Sequence, residues 1–519
     1  MYKRTKNMEN RINSSNQIKM GAIISYAAII FNIIVGVVYT PWLVGLIGQS
    51  DYGLYTLAMS IIGFFLMDFG LTSAITRFIS KYRAEEEQDK ISGLLGITFK
   101  LYLFIDLVIF IVLFVMFFFI QNIFVELTAL EIEKFRVVFI IASLFSLISF
   151  PFMPLNGILI SYERFVPLKI YDLLNKVCTI VLMVFILFLG YKLYALVVIN
   201  GLVAIVISVF KVIYIRKSIS ITINYKYKDK NMLKQIFNFS IWMTVISIAQ
   251  RFTLNITPSI LGVVSGTIQI SIFSIGMAIE GYIWTLANAL NGLFLTKVTR
   301  MTNRNDDREE ITNLMIKVGR IQLFVVGLVI IGFVTLGKQF MTLWMGTDFT
   351  NSYFVALLLV IPGMITLTQE IAYNLLIAIN KIKLRALIYG LSAFISILLS
   401  VLLSNRYGAI GSAMAIFIGI VLGHVICMNI VYHKVLRINI IRFFKECHLK
   451  MCVPLILSTI AGFLIQYLIP SSNFVFFMLT ASLLGIIYII LMWFLALNTY
   501  EKNLFTGIIQ KLVKKATPK

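Results

Sequence analysis

Residues 92–120 read SGLLGITFKLYLFIDLVIFIVLFVMFFFI, an apolar run in which only Lys100 and Asp106 are charged. An α-helix needs about 20 apolar residues to cross the hydrocarbon core of a bilayer, and this run is longer. In water such a helix would leave a large apolar surface exposed. The segment therefore predicts a membrane-spanning helix.

The rest of the 519-residue chain is similar, with 60% hydrophobic and 13% charged residues, so a soluble enzyme is excluded. Counting this run, apolar stretches predict about fourteen spans: 21–47, 52–78, 92–120, 135–160, 168–190, 193–215, 236–263, 267–296, 316–337, 351–379, 384–404, 408–432, 450–470 and 473–497. The connectors are too short to bury a core of their own. We expect an all-α integral membrane protein without an extramembrane catalytic domain.

The net charge of +22 would fit a nucleic-acid-binding protein only if it were gathered on one exposed surface. Alternating the connectors between the two sides instead puts most Lys and Arg on the side of both termini. The opposite side receives Lys134, Arg136, Lys192, Lys338 and Arg406. By the positive-inside rule both termini are cytoplasmic, and no nucleic-acid partner is expected.

The chain also carries a weak internal repeat. Pro41 and Gly45 recur 217 residues later as Pro258 and Gly262, and the same register relates Asn156 to Asn374 and Tyr191 to Tyr407 within one residue. An offset of six spans predicts two parallel lobes, a transporter architecture. The expected divisions are a basic N-terminus (1–20), an N-lobe (21–215), a basic linker (216–235), a C-lobe (236–432), a second linker (433–449), two extra spans (450–497) and a basic tail (498–519).

Polar side chains recur at helical spacing within several spans, which places them on one face of each helix. The stripes are Ser25, Asn32 and Tyr39; Asp68, Thr72 and Thr76; Ser247, Arg251 and Asn255; Glu280, Trp284, Asn288 and Asn291; and Glu370 with Asn374. Such stripes either line a hydrated path or hold helices together. Asp172 and Lys176, four apart, are expected to neutralise each other as a structural pair.

Cysteine and histidine spacings match no metal site, so neither a metal nor another cofactor is expected.

Two segments resemble a known family. Residues 52–83, YGLYTLAMSIIGFFLMDFGLTSAITRFISKYR, resemble the second span of the polysaccharide transporters, the Wzx-like lipid-linked oligosaccharide flippases of the multidrug/oligosaccharidyl-lipid/polysaccharide (MOP) superfamily. Residues 407–415, YGAIGSAMA, resemble the family's second-lobe motif. The resemblance implies a bacterial inner-membrane carrier with two parallel six-helix lobes, as in the MATE carriers, plus two C-terminal helices.

The resemblance further implies a substrate, an undecaprenyl-pyrophosphate-linked glycan, moved between leaflets by alternating access and coupled to H⁺ or Na⁺. Membrane lipids and glycan assembly enzymes are the other implied partners. On this basis the head group would contact Arg251, Asn255, Tyr39, Asn32, Trp284, Asn288, Asn291 and Asn374. Arg77, Lys297, Arg300 and Arg320 would form a basic cytoplasmic mouth, and Asp68, Glu280 and Glu370 would serve coupling or gating.

The sequence departs from the resemblance in one respect. Related flippases have strongly cationic cavities, whereas these stripes set one arginine, Arg251, against three carboxylates. A drug or cation exporter of the same superfamily would favour such an acidic cavity and stays an alternative. A membrane-embedded glycan polymerase or ligase is a weaker one, because its usual large outer loop is missing here, and we expect a carrier and not an enzyme.

Overall fold

The computed structural model describes residues 2–67, 69–219, 221–291, 308–379, 381–469, 473–503 and 506–507. These residues form helices and no strand. The α-helices are Tyr2–Ile47, Gln49–Phe65, Leu71–Ala84, Gln88–Ile123, Ala129–Ser149, Pro154–Ser161, Phe165–Phe188, Leu193–Ser218, Lys230–Leu254, Thr257–Val264, Gly266–Asn291, Arg308–Met345, Asn351–Val360, Gly363–Thr366, Glu370–Ala378, Ile382–Ile420, Met428–Lys434, Ile440–Phe443, Lys450–Leu468 and Phe474–Leu495. Short 3₁₀ turns lie at Phe150–Phe152, Thr347–Phe349 and Leu367–Gln369, and π-helical turns at Val421–Cys427 and Phe444–Leu449.

Twelve helical segments among the described residues are long and apolar enough to cross a membrane, so the predicted number of fourteen is not confirmed. Two differences account for this. The predicted span 52–78 falls on two shorter helices, Gln49–Phe65 and Leu71–Ala84. The predicted spans 384–404 and 408–432 lie in one helical run, Ile382–Lys434, whose 53 residues are more than twice the length that one crossing needs.

Backbone conformation explains both differences. At the first break Phe69 (φ 49°) and Gly70 (φ 66°) are left-handed, which stops a right-handed helix. Within the long run Gly408 has φ 54° and ψ −134°, a conformation open almost only to glycine. The run therefore bends at Gly408, where the sequence places the boundary between two spans.

The described chain separates into two compact units, Met1–Ser274 with Ala393–Ser412, and Ile275–Ser392 with Ala413–Lys519. In the first unit the helices Ala129–Ser149 and Leu193–Ser218 pack closely at Gly201, where a Cβ atom would collide with the Phe145 ring. The helix Ala129–Ser149 begins with a capping box, in which Thr128 and Glu131 each satisfy a backbone N–H of the other.

The second unit is built around the helix Arg308–Met345, which packs against Lys450–Leu468 and Phe474–Leu495. Tyr488 is fully buried there, and its hydroxyl donates to the Phe324 carbonyl at 2.8 Å. The helices approach so closely at Gly327 that a side chain there would meet the tyrosine hydroxyl.

The outward faces of the helices are apolar. On the helix Phe474–Leu495, Phe477, Leu484, Tyr488 and Met492 point inward at helical spacing. The opposite face exposes Val475, Leu479, Ile486 and Phe494, each more than half accessible. Both faces of this helix are hydrophobic, as lipid on one side and protein on the other require.

Candidate functional site

The helix Lys230–Leu254 carries a row of polar side chains that contact the interrupted second span of the first unit. Ser240 donates to the Gly70 carbonyl at 3.5 Å, and Thr244 donates to the Phe69 carbonyl. Two turns further on, Arg251 donates through Nη1 to the Gly63 carbonyl at 2.5 Å. These bonds satisfy carbonyls that the interruption of a membrane helix would leave exposed.

Arg251 is half-buried, and Gly63 leaves room for it, since a Cβ there would lie 3.5 Å from Nη1. The backbone carbonyl of Asn255, one turn beyond, accepts a hydrogen bond from Ser60. The part of the helix that carries Arg251 and Asn255 therefore contacts the second span. Asp68, the charged residue predicted in that span, lies outside the described residues.

The predicted residues of the first helix lie elsewhere in the same unit. Tyr39 donates its hydroxyl to the Met183 sulfur at 3.2 Å, and its ring lies 5.9 Å from that of Trp42. Asn32 Oδ1 is buried without a hydrogen-bond partner in the described part of the chain. The side chain of Ser25 is not among those described.

The expected pair of Asp172 with Lys176 does not form. Asp172 instead lies 3.1 Å from Lys211 and 3.8 Å from Lys169. Lys211 is 9% exposed and also donates to Asn156 Oδ1 at 3.0 Å. Asp172 thus pairs with Lys211 on a neighbouring helix and with Lys169 one turn earlier in its own helix, instead of with Lys176.

A separate cluster surrounds Glu131 in the first unit, and no sequence pattern predicts it apart from the Thr128–Glu131 spacing of the capping box. Ser50 donates to Glu131 Oε1 at 2.5 Å, and Thr267 donates to the same oxygen at 2.6 Å. Lys134 pairs with Asp51 at 2.7 Å beside them. These five residues, the Glu131 cluster, join the starts of three helices that are far apart in sequence.

In the second unit, Glu280 is 8% exposed, and neither an ion pair nor a hydrogen bond to its carboxyl group is found within the described residues. Trp284, one turn further, is 39% exposed. Asn374 is 5% exposed, and its Nδ2 is buried without a partner in the part of the chain that the structure describes. The side chains of Asn288 and Asn291 lie outside that part.

Arg385, which sequence reasoning missed, is enclosed by aromatic side chains in the second unit. Its guanidinium carbon lies 3.5 Å from the centre of the Tyr373 ring and 4.5 Å from that of Tyr389. His424 stacks on Tyr389 with ring centres 3.7 Å apart and planes 5° apart. Glu370 is close enough to interact electrostatically with Arg385. We call Arg385, Tyr373, Tyr389 and His424 the Arg385 cage.

The four residues predicted for a basic mouth have different surroundings. Arg77 is exposed in the first unit. Arg320 is 4% exposed and bonds to Glu501 at 2.5 and 2.9 Å and to the carbonyls of Glu446 and Ala496. Lys297 and Arg300 lie outside the described residues. Among the described residues no group of three or more His, Cys, Asp or Glu side chains is arranged to hold a metal ion.

A family model described as "Polysaccharide biosynthesis protein" matches residues 18–294, more than half of the chain. No curated protein sequence matches the chain.

The structure of the lipid II flippase MurJ in an inward closed conformation is 16% identical, with a TM-score of 0.64, and the match covers 92% of this chain and 98% of the flippase. An inward-facing multidrug resistance MATE transporter of the MOP superfamily is 15% identical, with a TM-score of 0.64, covering 82% and 99%. A MOP superfamily transporter from Pyrococcus furiosus, described as having reversed polarity in its binding pocket, is 15% identical, with a TM-score of 0.57, covering 83% and 95%. The chain thus has the fold of these transporters.

Proposed function

Because this chain belongs to the polysaccharide biosynthesis protein family, we propose that it is a flippase for an undecaprenyl-pyrophosphate-linked oligosaccharide, the repeat unit of a surface polysaccharide. The observation that carries the proposal is the combination of this family with a fold shared over nearly the full length of a lipid II flippase. A lipid II flippase handles a lipid-linked sugar, so the fold suits this class of cargo.

The physical task explains why such a carrier needs polar residues inside the membrane. Sugar hydroxyls and a pyrophosphate lose their hydration in hydrocarbon at a cost of several kcal/mol per polar group. The polyprenyl tail has no such cost and can stay in lipid. The protein must therefore offer hydrogen bonds and charge to the head group alone while it alternates between the two sides.

Arg251 is our proposed contact for the pyrophosphate in the first unit. Its planar guanidinium can donate paired hydrogen bonds to phosphate oxygens. Tyr39, Asn32 and Asn255 in the first unit and Trp284 and Asn374 in the second are proposed sugar contacts, with Asn288 and Asn291 on the same predicted face as Trp284. Arg77, Lys297 and Arg300 are proposed to attract the anionic head group at the cytoplasmic mouth. Arg320 has no place in this proposal because its donors already bind protein acceptors.

Glu280 is the proposed centre of ion coupling, assisted by Glu370 and Asp68. A carboxylate as buried as Glu280 is costly as a bare anion in a membrane. Binding H⁺ or Na⁺ removes the charge, so its occupancy could follow an ion gradient. The protein would lie in the bacterial cytoplasmic membrane with both termini in the cytoplasm, beside the enzymes that assemble the glycan.

The buried Glu280 also favours the second candidate, a drug or cation exporter, because an acidic site attracts cations. Deleting the gene separates the two. The flippase account predicts loss of a surface polysaccharide and accumulation of its lipid-linked precursor on the cytoplasmic leaflet, with unchanged drug susceptibility. Increased drug susceptibility with a normal surface glycan would favour the exporter and contradict the proposal.

A further inference from the structure

We propose that Arg385 is a phosphate-binding residue of the second unit and that the pyrophosphate of the lipid-linked substrate is its ligand, an inference that rests on the proposed function. Arg385 is 9% exposed. Its Nε and Nη1 atoms are buried and have no hydrogen-bond partner in the described part of the chain. A buried guanidinium with open donors is costly unless an acceptor satisfies it.

Arg320, also in the second unit, is a buried arginine with a structural role and serves as a comparison. It is also buried, at 4% exposed, yet Nε, Nη1 and Nη2 all donate to protein acceptors, the carboxylate of Glu501 and two backbone carbonyls. A buried arginine that only stabilises the fold therefore has protein acceptors for its donor atoms, as Arg320 shows. Arg385 lacks a matching set, and a ligand is the simplest source of the missing acceptors.

The Arg385 cage selects the kind of ligand. The rings of Tyr373 and Tyr389 stabilise the cation through their π-faces and limit the directions from which it can be approached. The N–H groups lie along the edges of the guanidinium plane. The open donors Nε and Nη1 lie on different edges of this plane. A pyrophosphate has several oxygens that can accept hydrogen bonds on both edges, which a single sugar hydroxyl cannot do.

Glu370 is the anion near Arg385, but it does not bind the open donor atoms of the guanidinium. It interacts electrostatically with Arg385, while no ion pair between the two is found within the described residues. The carboxylate therefore offsets part of the buried charge without occupying the open donors. A phosphate can add to this arrangement without first displacing a salt bridge.

One wall of the cage lies in an irregular helical segment. His424, stacked on Tyr389, belongs to the π-helical turn Val421–Cys427. Such turns hold an extra residue in the helix and occur often at functional sites. Gln369, in a 3₁₀ turn, donates to Asn429 just after the π-helical turn at 2.8 Å, so two irregular segments are joined beside the cage. We infer that His424 moves off Tyr389 when the phosphate enters.

The test is binding of farnesyl pyrophosphate to the purified full chain in detergent, by titration calorimetry, with farnesol as the probe without phosphate. Arg385→Gln should weaken farnesyl pyrophosphate binding about tenfold or more, the loss expected for hydrogen bonds to a charged group. Lys381→Gln is the matched control, since it removes an exposed charge four positions earlier and should leave Kd unchanged. His424→Ala, which removes the ring stacked on Tyr389, should speed the association of farnesyl pyrophosphate, as measured by stopped-flow fluorescence.

Unchanged farnesyl pyrophosphate affinity in a folded Arg385→Gln protein would overturn the assignment. If that variant does not fold, Arg385→Lys, which keeps the positive charge but lacks the planar guanidinium, decides, and an unchanged affinity in that variant overturns the assignment. These outcomes leave the proposed function standing as long as the unmodified protein binds farnesyl pyrophosphate more tightly than farnesol. A wild-type chain that does not distinguish the two probes contradicts the proposed function itself.

Discussion

At the scale of single residues, the stability of the protein depends on how its buried charges are paired. Arg320 and Glu501, 181 positions apart, form an ion pair in which both side chains are at most 5% exposed. Arg320→Ala would leave the Glu501 carboxylate buried without its cation, and we expect a loss of about 3–5 kcal/mol in unfolding free energy. Thermal unfolding of the purified protein in detergent measures it.

Replacing both partners is the control for that prediction. The double variant Arg320→Met with Glu501→Leu should recover most of the lost stability, because apolar side chains of similar size need no counter-charge. A double variant as unstable as Arg320→Ala would mean that the ion pair is not the source of the effect.

Arg251 tests the proposed role of a charge in the first unit. Arg251→Ala should lower glycan translocation at least about tenfold while the amount of protein stays normal, since a charge-assisted contact to phosphate is lost. Arg164→Ala, which removes an exposed arginine between two helices, is the matched control and should translocate normally. Normal surface glycan in cells carrying Arg251→Ala would remove this arginine from the mechanism.

At the scale of secondary-structure elements, the fold depends on the breaks in the helices as well as on the helices. Gly408 bends the run Ile382–Lys434, and a Cβ there would also collide with the side chain of Gln269. Gly408→Ala should therefore cost about 1–3 kcal/mol of stability from backbone strain alone. Thermal unfolding beside Gly390→Ala, a helical glycine with open space around it, isolates the effect. Equal stabilities would show that the bend does not require glycine.

The Glu131 cluster joins helix starts of the predicted N-lobe to that of Thr267 in the predicted C-lobe, and we expect a carrier working by alternating access to separate them. Ser50 Oγ and Thr267 Oγ1 lie 3.3 Å apart, so cysteines at both positions should form a disulfide under mild oxidation. We expect the oxidised double variant to lose translocation and a reductant to restore it, with each single cysteine variant active throughout. Full activity of the cross-linked protein would exclude opening at this junction.

These elements also mark how far sequence reasoning reaches. Long apolar runs predict helices because a backbone in lipid must satisfy its own hydrogen bonds, and most predicted spans are helices in the structure. The break at Phe69 and Gly70 depends on a local left-handed backbone that an apolar run conceals. The partner of Asp172 depends on tertiary packing, which brings Lys211 from another helix.

Arg385 was missed for a different reason. Its position at the end of a predicted span placed it among the basic residues of the cytoplasmic side. The available signal was its spacing of four from Tyr389, which puts a cation and an aromatic ring on one helical face. The tyrosine of a second helix and the unsatisfied donors become visible only in three dimensions.

For the whole molecule, the central claim is that one chain of this fold moves a lipid-linked glycan between leaflets. The most direct measurement uses vesicles that contain the purified protein and undecaprenyl-pyrophosphate-linked oligosaccharide, with a glycosidase added outside to cleave exposed glycan. The proposed function predicts that the protein makes glycan on the inner leaflet accessible to the glycosidase. This exposure should be faster under an H⁺ or Na⁺ gradient. A protected pool as large as in vesicles without protein, under either gradient, would contradict it.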